Sequence, residues 1–272
     1  MDKTEIKVLL MDAIEASLEA GKEILEVYES TFEVEYKDDK SPLTIADKKA
    51  HNIIAHKLKD TGIPILSEEG RDIAYGERSM WRDLWIVDPL DGTKEFIKQN
   101  GEFTVNIALA ERGVPTLGVI YVPVEETLYF AGEGLGSYRK DQAAHGALPD
   151  TLEELIGGST KLPEKQERPF TIVGSRSHMS DETVAYVEDM REQHPEIEMM
   201  SRGSSLKICM VAEGSADVYP RFAPTMEWDT AAGHAIAKEA GLEIYQAEDL
   251  EKPLQYNKDN LLNPWFIVKQ KA

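Results

Sequence analysis

The chain has 272 residues, with 50 acidic against 30 basic side chains and a formal net charge of −20. That balance excludes nucleic acid as a partner, because binding its phosphates requires a basic face. The length suits one large domain or two packed halves, and an apolar content of 42% is that of a soluble globular protein. No run reaches the ~18 apolar residues expected of a membrane span.

The chain opens Met1-Asp2-Lys3-Thr4-Glu5, without a basic n-region, an apolar h-region or a cleavage site, so a cytoplasmic protein is expected. Peripheral association with the inner membrane is compatible with that expectation, and no feature specifies an oligomeric state. Residues 4–28 set Ile6, Leu9, Leu10, Ala13, Ile14, Leu18, Ile24 and Leu25 at helical spacing, which predicts a long amphipathic helix. Residues 32–37 alternate like a strand. A charged loop with Lys37 and Lys40 follows, read as solvated. Leu43-Thr44-Ile45-Ala46-Asp47 then starts a second helix that turns Ala50, Ile53, Ile54 and Leu58 inward. Residues 63–67 form a short strand that ends in Glu68-Glu69-Gly70.

Trp85-Ile86-Val87-Asp88-Pro89-Leu90-Asp91-Gly92-Thr93 is the central stretch. An apolar strand runs into two aspartates, and two carboxylates this close repel unless a cation sits between them. Oxygen-rich surroundings without imidazole favour a hard cation, Mg²⁺ before Zn²⁺. Gly92 permits a tight turn, and the N–H groups of the helix start at Thr93 attract an anion. By itself the turn reads equally well as an ordinary strand-to-helix junction capped by Asp91.

Residues 103–110, 117–122 and 127–130 read as strands of an antiparallel meander. Gly132-Glu133-Gly134-Leu135-Gly136 lacks the spacing of a dinucleotide loop and reads as a hairpin turn. Residues 141–168 are polar, show no sustained period, and form the expected boundary between two halves, 1–145 and 165–272. The second half alternates. Strands are expected at 170–173, 197–200, 216–219, 242–245 and 265–268, with helices at 181–192, 204–213 and 228–240. Cys209 lies in the apolar run 207–211, where a buried structural thiol is expected rather than a nucleophile.

Five acids fall at the ends of elements: Asp47, Glu68, Asp88, Asp91, and Asp229 in Glu227-Trp228-Asp229-Thr230-Ala231-Ala232. Each alone reads as a cap or a solvated side chain. Asp229, however, opens a helix of small residues, whose backbone can approach closely whatever its first turn faces.

Glu68-Glu69, Asp88-Pro89-Leu90-Asp91-Gly92-Thr93 and Trp228-Asp229-Thr230-Ala231-Ala232-Gly233 resemble, in order and spacing, the signatures of the inositol monophosphatase superfamily of Mg²⁺-dependent, lithium-sensitive phosphatases. Residues 88–106, Val218-Tyr219-Pro220-Arg221-Phe222 and Leu261-Leu262-Asn263-Pro264 most resemble its 3′(2′),5′-bisphosphate nucleotidase (CysQ-type) branch. The resemblance implies a layered α/β fold, the αβαβα sandwich. It implies that Glu68, Asp88 and the Leu90 carbonyl hold one Mg²⁺, and that Asp88, Asp91 and Asp229 hold a second. A third, weaker ion would share Glu68. Thr93 and Asp47 would orient and deprotonate the attacking water, and the Gly92 and Thr93 N–H groups would receive the phosphate.

Substrate choice falls to the second half. Gly174-Ser175-Arg176-Ser177-His178 follows a strand and Gly203-Ser204-Ser205-Leu206-Lys207 opens a helix. By resemblance, Ser204 and Lys207 lie near a 5′-phosphate, Arg221 is a second anchor, and His178 lies beside the base. The plain alternatives are a helix cap for Ser204, an acid partner for Arg221 and a surface position for His178. The other histidines, His234 among them, show no ligand-like clustering. The expected activity is in-line hydrolysis of the 3′-phosphate of adenosine 3′,5′-bisphosphate to AMP, clearing a by-product of sulfate activation. The same metal site acting on an inositol phosphate or a sugar bisphosphate is the first alternative. A non-catalytic, metal-dependent nucleotide sensor is the second.

Overall fold

Alternation along the central strands splits the protein into two cores, one on each face of a single sheet. The computed structural model describes residues 1–30, 34–36, 42–174 and 180–271. Helix α1 (Lys3–Tyr28) begins on Asp2, whose carboxylate accepts from the N–H groups of Thr4 and Glu5 at 2.8 and 2.9 Å. Strands β1 (Val34–Tyr36) and β2 (Pro42–Thr44) pair antiparallel and lead into α2 (Ile45–Leu58). A parallel strand β3 (Ile65–Ser67), a single turn of helix α3 (Tyr75–Arg78) and the long β4 (Asp83–Asp91) follow. After them come α4 (Thr93–Ile97), β5 (Thr104–Glu111), β6 (Val114–Val122), β7 (Thr127–Gly132) and β8 (Gly136–Lys140).

The meander is longer than the sequence pattern indicates. The segment 132–136 turns as expected, and β8 beyond it pairs with β7. Within the polar stretch 141–168, Thr151 caps α5 (Leu152–Gly157), which buries Leu152 and Leu155. Strand β9 (Thr160–Lys161) then joins the sheet. Elements of two to six residues are too short to register a period. The sheet order is β3-β4-β5-β6-β7-β8-β9, with only β3–β4 parallel.

The second half contains β10 (Phe170–Gly174), α6 (Asp181–Gln193), β11 (Ile197–Ser201), α7 (Leu206–Glu213), β12 (Tyr219–Arg221), α8 (Glu227–Glu239), β13 (Leu242–Gln246), β14 (Asp249–Pro253) and β15 (Phe266–Gln270). Four of these strands form a second sheet, β12-β15-β13-β14, and β10 pairs parallel with β11. Strand β14, with its polar Asp249-Leu250-Glu251-Lys252-Pro253, has no apolar alternation to betray it.

On β4, Trp85 and Val87 face α1 and α2, while Leu84 and Ile86 face α7 and α8. Strand β5 repeats this with Val105, Ile107 and Leu109 against Ala108 and Ala110. The layers are therefore α1 and α2, the seven-stranded sheet, α7 and α8, and the second sheet, with α6 outermost beside β12. This is the expected layered α/β sandwich. Small residues bring α8 onto the sheet. A Cβ on Gly118 would lie 2.3 Å from the Ala232 carbonyl oxygen and 2.9 Å from Ala235 Cβ. Cys209 is a free, buried thiol, and among the described residues no helix is long and apolar enough to cross a membrane.

Candidate active site and metal centre

The site begins with a defect in β4. Residues three apart on a regular strand point to opposite faces. Opposite Asp88 and Asp91, however, β5 presents Asn106 and Thr104, which are only two apart, so β4 carries one extra residue between its two aspartates. That bulge turns both carboxylates to the face covered by α7 and α8. Parallel pairing of β3 with β4 carries the chain to the same end, where the Glu68 N–H donates to the Val87 carbonyl at 3.1 Å. From the other side, α8 delivers Asp229 on its first turn, its carboxylate accepting from the Met226 N–H at 2.8 Å.

Oxygens of Asp88, Asp91 and Asp229 all lie within 4.8 Å of one another. Asp88 is 2% exposed and the other two are half-buried. Burial, and then the charges of Glu68, Asp91 and Asp229, push the Asp88 carboxyl well above the usual carboxylate range. Burial first, and Asp91 second, lift Asp229 to about 8. Among the described residues no lysine or arginine forms an ion pair with any of the three. A close-set, all-oxygen group, buried and without an ion pair among the described residues, fits a hard divalent cation.

Beside it, Asp47 is 3% exposed and fixed through its own helix cap. Its Oδ2 accepts from the Thr44 N–H at 2.8 Å and from the Thr44 hydroxyl at 2.6 Å. Its Oδ1 faces the Thr93 hydroxyl at 3.4 Å, and that hydroxyl also lies 3.5 Å from the Leu90 carbonyl. Burial raises the Asp47 carboxyl above its ordinary value against the opposing Thr44 hydrogen bonds, which makes it a better proton acceptor. Gly92 takes φ +93°, a left-handed conformation that a side chain would strain. Its position also leaves little space, since a Cβ would meet the Glu102 carbonyl at 3.2 Å and Ser204 Cβ at 3.3 Å.

A cavity of about 140 Å³ opens next to the acids, lined in part by Asp91, Gly92, Ser204, Arg221, Asp229 and Thr230. Two polar atoms on its lining residues, Ser204 Oγ and Arg221 Nε, are buried without a hydrogen-bond partner among the described residues.

The sequence profile of the inositol monophosphatase family matches residues 6–264. This chain belongs to the inositol monophosphatase family. A 3′(2′),5′-bisphosphate nucleotidase CysQ of Salmonella typhimurium is 43% identical over 265 residues, covering 96% of this chain and 99% of that protein. The crystal structure of CysQ from Bacteroides thetaiotaomicron, a bacterial member of the family, superposes with a TM-score of 0.91 at 55% identity, covering 98% of each chain. SuhB from Bartonella henselae shares the fold, with a TM-score of 0.72 at 24% identity over 97% and 94% of the two chains.

Within this family member the structure gathers Asp47, Glu68, Asp88, Leu90, Asp91, Gly92, Thr93 and Asp229 at one end of the large sheet, with Ser204 and Arg221 on the cavity wall. Lys207 lies near Asp91, but its ammonium is turned to the loop before α7. It is 7% exposed, and its ammonium donates to the carbonyls of Arg202 at 3.1 Å and Ser204 at 2.6 Å, behind the loop. Burial lowers its pKa to about 8 despite the nearby Asp91 charge. Arg221 Nη2 donates to the Pro224 carbonyl at 3.2 Å. His178, Lys37 and Lys40 lie outside the described residues. Ser204, with φ +42°, precedes the cap of α7 rather than forming it.

Sequence reasoning passed over three polar residues that hold the acids. Ser205 Oγ donates to Asp91 Oδ2 at 2.7 Å and lies 2.9 Å from the Asp229 carbonyl. Asn106 Nδ2 donates to Ser205 Oγ at 2.8 Å, and the Thr104 hydroxyl donates to Asn106 Oδ1 at 2.9 Å. The alternation of β5 held the only clue: Thr104 and Asn106 are polar at positions where Ala108 and Ala110 continue the same buried face.

Proposed function

We propose that this protein is a metal-dependent phosphomonoesterase that removes the 3′-phosphate of adenosine 3′,5′-bisphosphate, yielding AMP and phosphate. The observation that carries the reading is the convergence of Asp88, Asp91 and Asp229 within 4.8 Å, beside the Asp47–Thr93 pair. Near-complete coverage by proteins named as 3′(2′),5′-bisphosphate nucleotidases supports that substrate class over inositol or sugar phosphates.

Asp88, Asp91, Asp229, Glu68 and the Leu90 carbonyl are the residues to hold Mg²⁺, as two or three ions. When bound, Mg²⁺ supplies Lewis acidity, offsetting the phosphate charge and making water a stronger nucleophile. Asp47 Oδ1 takes the proton passed through the Thr93 hydroxyl, while Thr44 holds the other oxygen of that carboxylate in place. The cavity of about 140 Å³ beside the acids is of a size to admit a phosphoryl group. Ser204 and Arg221 offer hydrogen-bonding capacity to the second phosphate.

The test is Mg²⁺-dependent phosphate release from adenosine 3′,5′-bisphosphate, inositol 1-phosphate and fructose 1,6-bisphosphate under one set of conditions. A strong preference for the nucleotide is expected. Preference for either of the others would retain the metal site and overturn the substrate. Metal binding without release from any of the three would favour a nucleotide sensor.

A further inference from the structure

A row of buried polar groups runs from the acid site back through α8 to the second sheet. His234, on the third turn of α8, is 2% exposed and uses both ring nitrogens. Nε2 bonds the Glu243 carboxylate on β13, and Nδ1 meets the Tyr256 hydroxyl at 3.0 Å. A carboxylate only accepts, so Nε2 carries a proton in the first bond. Tyr256 is itself 4% exposed and is pinned by its backbone N–H to the Gly113 carbonyl at 3.0 Å. Its hydroxyl donates to Thr230 Oγ1 at 3.2 Å. Thr230 is the neighbour of Asp229 and lines the cavity.

This arrangement has a physical reason that packing alone does not supply. Asp88, Asp91 and Asp229 repel one another, and the force on Asp229 pushes the first turn of α8 away from the sheet. The residue preceding α8 is Met226, which offers no hydroxyl or carboxylate to cap the turn. The Asp229 carboxylate accepts from the Met226 N–H, and Thr230 Oγ1 collects the other side-chain bonds at this turn. It accepts from Tyr256 and from Asn263 Nδ2 at 3.0 Å, and lies 3.3 Å from the Glu227 carbonyl. Leucine and phenylalanine would fill the same space without directing any of these contacts, and a buried polar row is costly unless every member is bonded.

We propose that Tyr256, oriented by His234 and Glu243, is a positioning residue for the metal site: its bond to Thr230 holds the turn of helix that presents Asp229. The inference rests on the metal-dependent reading above. It assigns the row an effect on metal affinity, and none on the affinity for the nucleotide once metal is saturating.

The experiment measures Mn²⁺ binding by electron paramagnetic resonance, without substrate, in the full-length wild type and in Tyr256→Phe, Thr230→Val and Thr230→Ser. Tyr256→Phe and Thr230→Val should each weaken Mn²⁺ binding about tenfold, the lower end of losses seen when groups behind a metal ligand are removed. Thr230→Ser, which keeps the hydroxyl, should bind nearly as the wild type does. In Tyr256→Phe at saturating metal, KM for adenosine 3′,5′-bisphosphate should stay within roughly twofold of wild type. Unchanged Mn²⁺ affinity in both deletion variants, with tight binding by the wild type, overturns the proposal and leaves the row a core support. Thr230→Val deletes the contact from the other side and decides the matter if Tyr256→Phe does not fold. No Mn²⁺ binding by the wild type would overturn the metal reading itself, and this inference with it.

Discussion

The Ser205 hydroxyl stands 2.7 Å from Asp91 Oδ2 and 2.9 Å from the Asp229 carbonyl, joining the strand and the helix that supply two of the three clustered acids. Ser205→Ala removes that link and leaves the buried Asn106 amide only its longer, 3.5 Å bond to Asp91 Oδ2. Mg²⁺ affinity should fall about tenfold, read from the metal dependence of phosphate release. An unchanged metal dependence would mean that Asp91 is held by its strand alone.

Asp91→Asn should abolish most turnover and still fold. Because it relieves repulsion with Asp88 and Asp229, the metal-free variant should melt no lower than the metal-free wild type. The rise in melting temperature on adding Mg²⁺ should shrink or vanish. Near-normal activity would sink the assignment of this carboxylate to a metal.

Asp47→Asn should separate chemistry from binding. It keeps the shape of the side chain and an acceptor for the Thr44 N–H, but no longer takes a proton from Thr93. Loss of a general base costs about 10²- to 10⁴-fold in kcat, while Mn²⁺ affinity should stay close to wild type. If affinity falls as far as kcat does, Asp47 acts on the acid cluster rather than on water.

Stability should fall with rising pH without metal and hold nearly level with it. Asp229 rises to about 8 in the fold, and Asp88 rises well above the usual range. In the unfolded chain both titrate near ~4. Between those values the metal-free fold binds more protons than the unfolded chain, so its stability declines as pH rises. A divalent cation displaces those protons, so the stabilisation it provides grows over the same interval. Melting with EDTA and with Mg²⁺ near pH ~5.5 and ~8 should give the wider gap at the higher value. Equal gaps would contradict the burial of unpaired carboxyls.

Gly118→Ala tests how closely α8 must approach the sheet. The added methyl would sit 2.3 Å from the Ala232 carbonyl oxygen, in backbone rather than against a flexible side chain. Overpacking of this kind costs about 1–3 kcal/mol, measurable as a lower urea midpoint. Turnover should fall as well, because the displaced helix carries Asp229. A wild-type midpoint would show that α8 has room to shift.

Much of the architecture was legible in the chain because it depends on local patterns. The helical period of α1 and the apolar runs of β4 to β7, set off by turn residues, each follow from surfaces that must be buried. The acids at element ends were visible as residue types, and their order matched a known signature. The short elements α5, β8, β9 and β14 left no period to read. Lys207 shows a different gap. A lysine at a helix start looks available to a phosphate, yet burial commits its ammonium to the Arg202 and Ser204 carbonyls.

The sequence by itself determined which chemistry was on offer: hard oxygen ligands, no disulfide, no basic face, and an Asp-Pro-Leu-Asp-Gly-Thr turn at the end of an apolar strand. Tertiary structure alone decided that the ligands meet. Asp88 and Asp91 share a face only because β4 carries an extra residue opposite β5, and Asp229 reaches them only because Gly118 and the alanines of α8 let a helix settle on the sheet. Ser205 and Tyr256 acquire their parts in the same way, through partners 114 and 26 residues away. Residue type specifies what a side chain can donate, accept or ligate. Which partner it meets depends on packing between distant segments, and no local pattern encodes that.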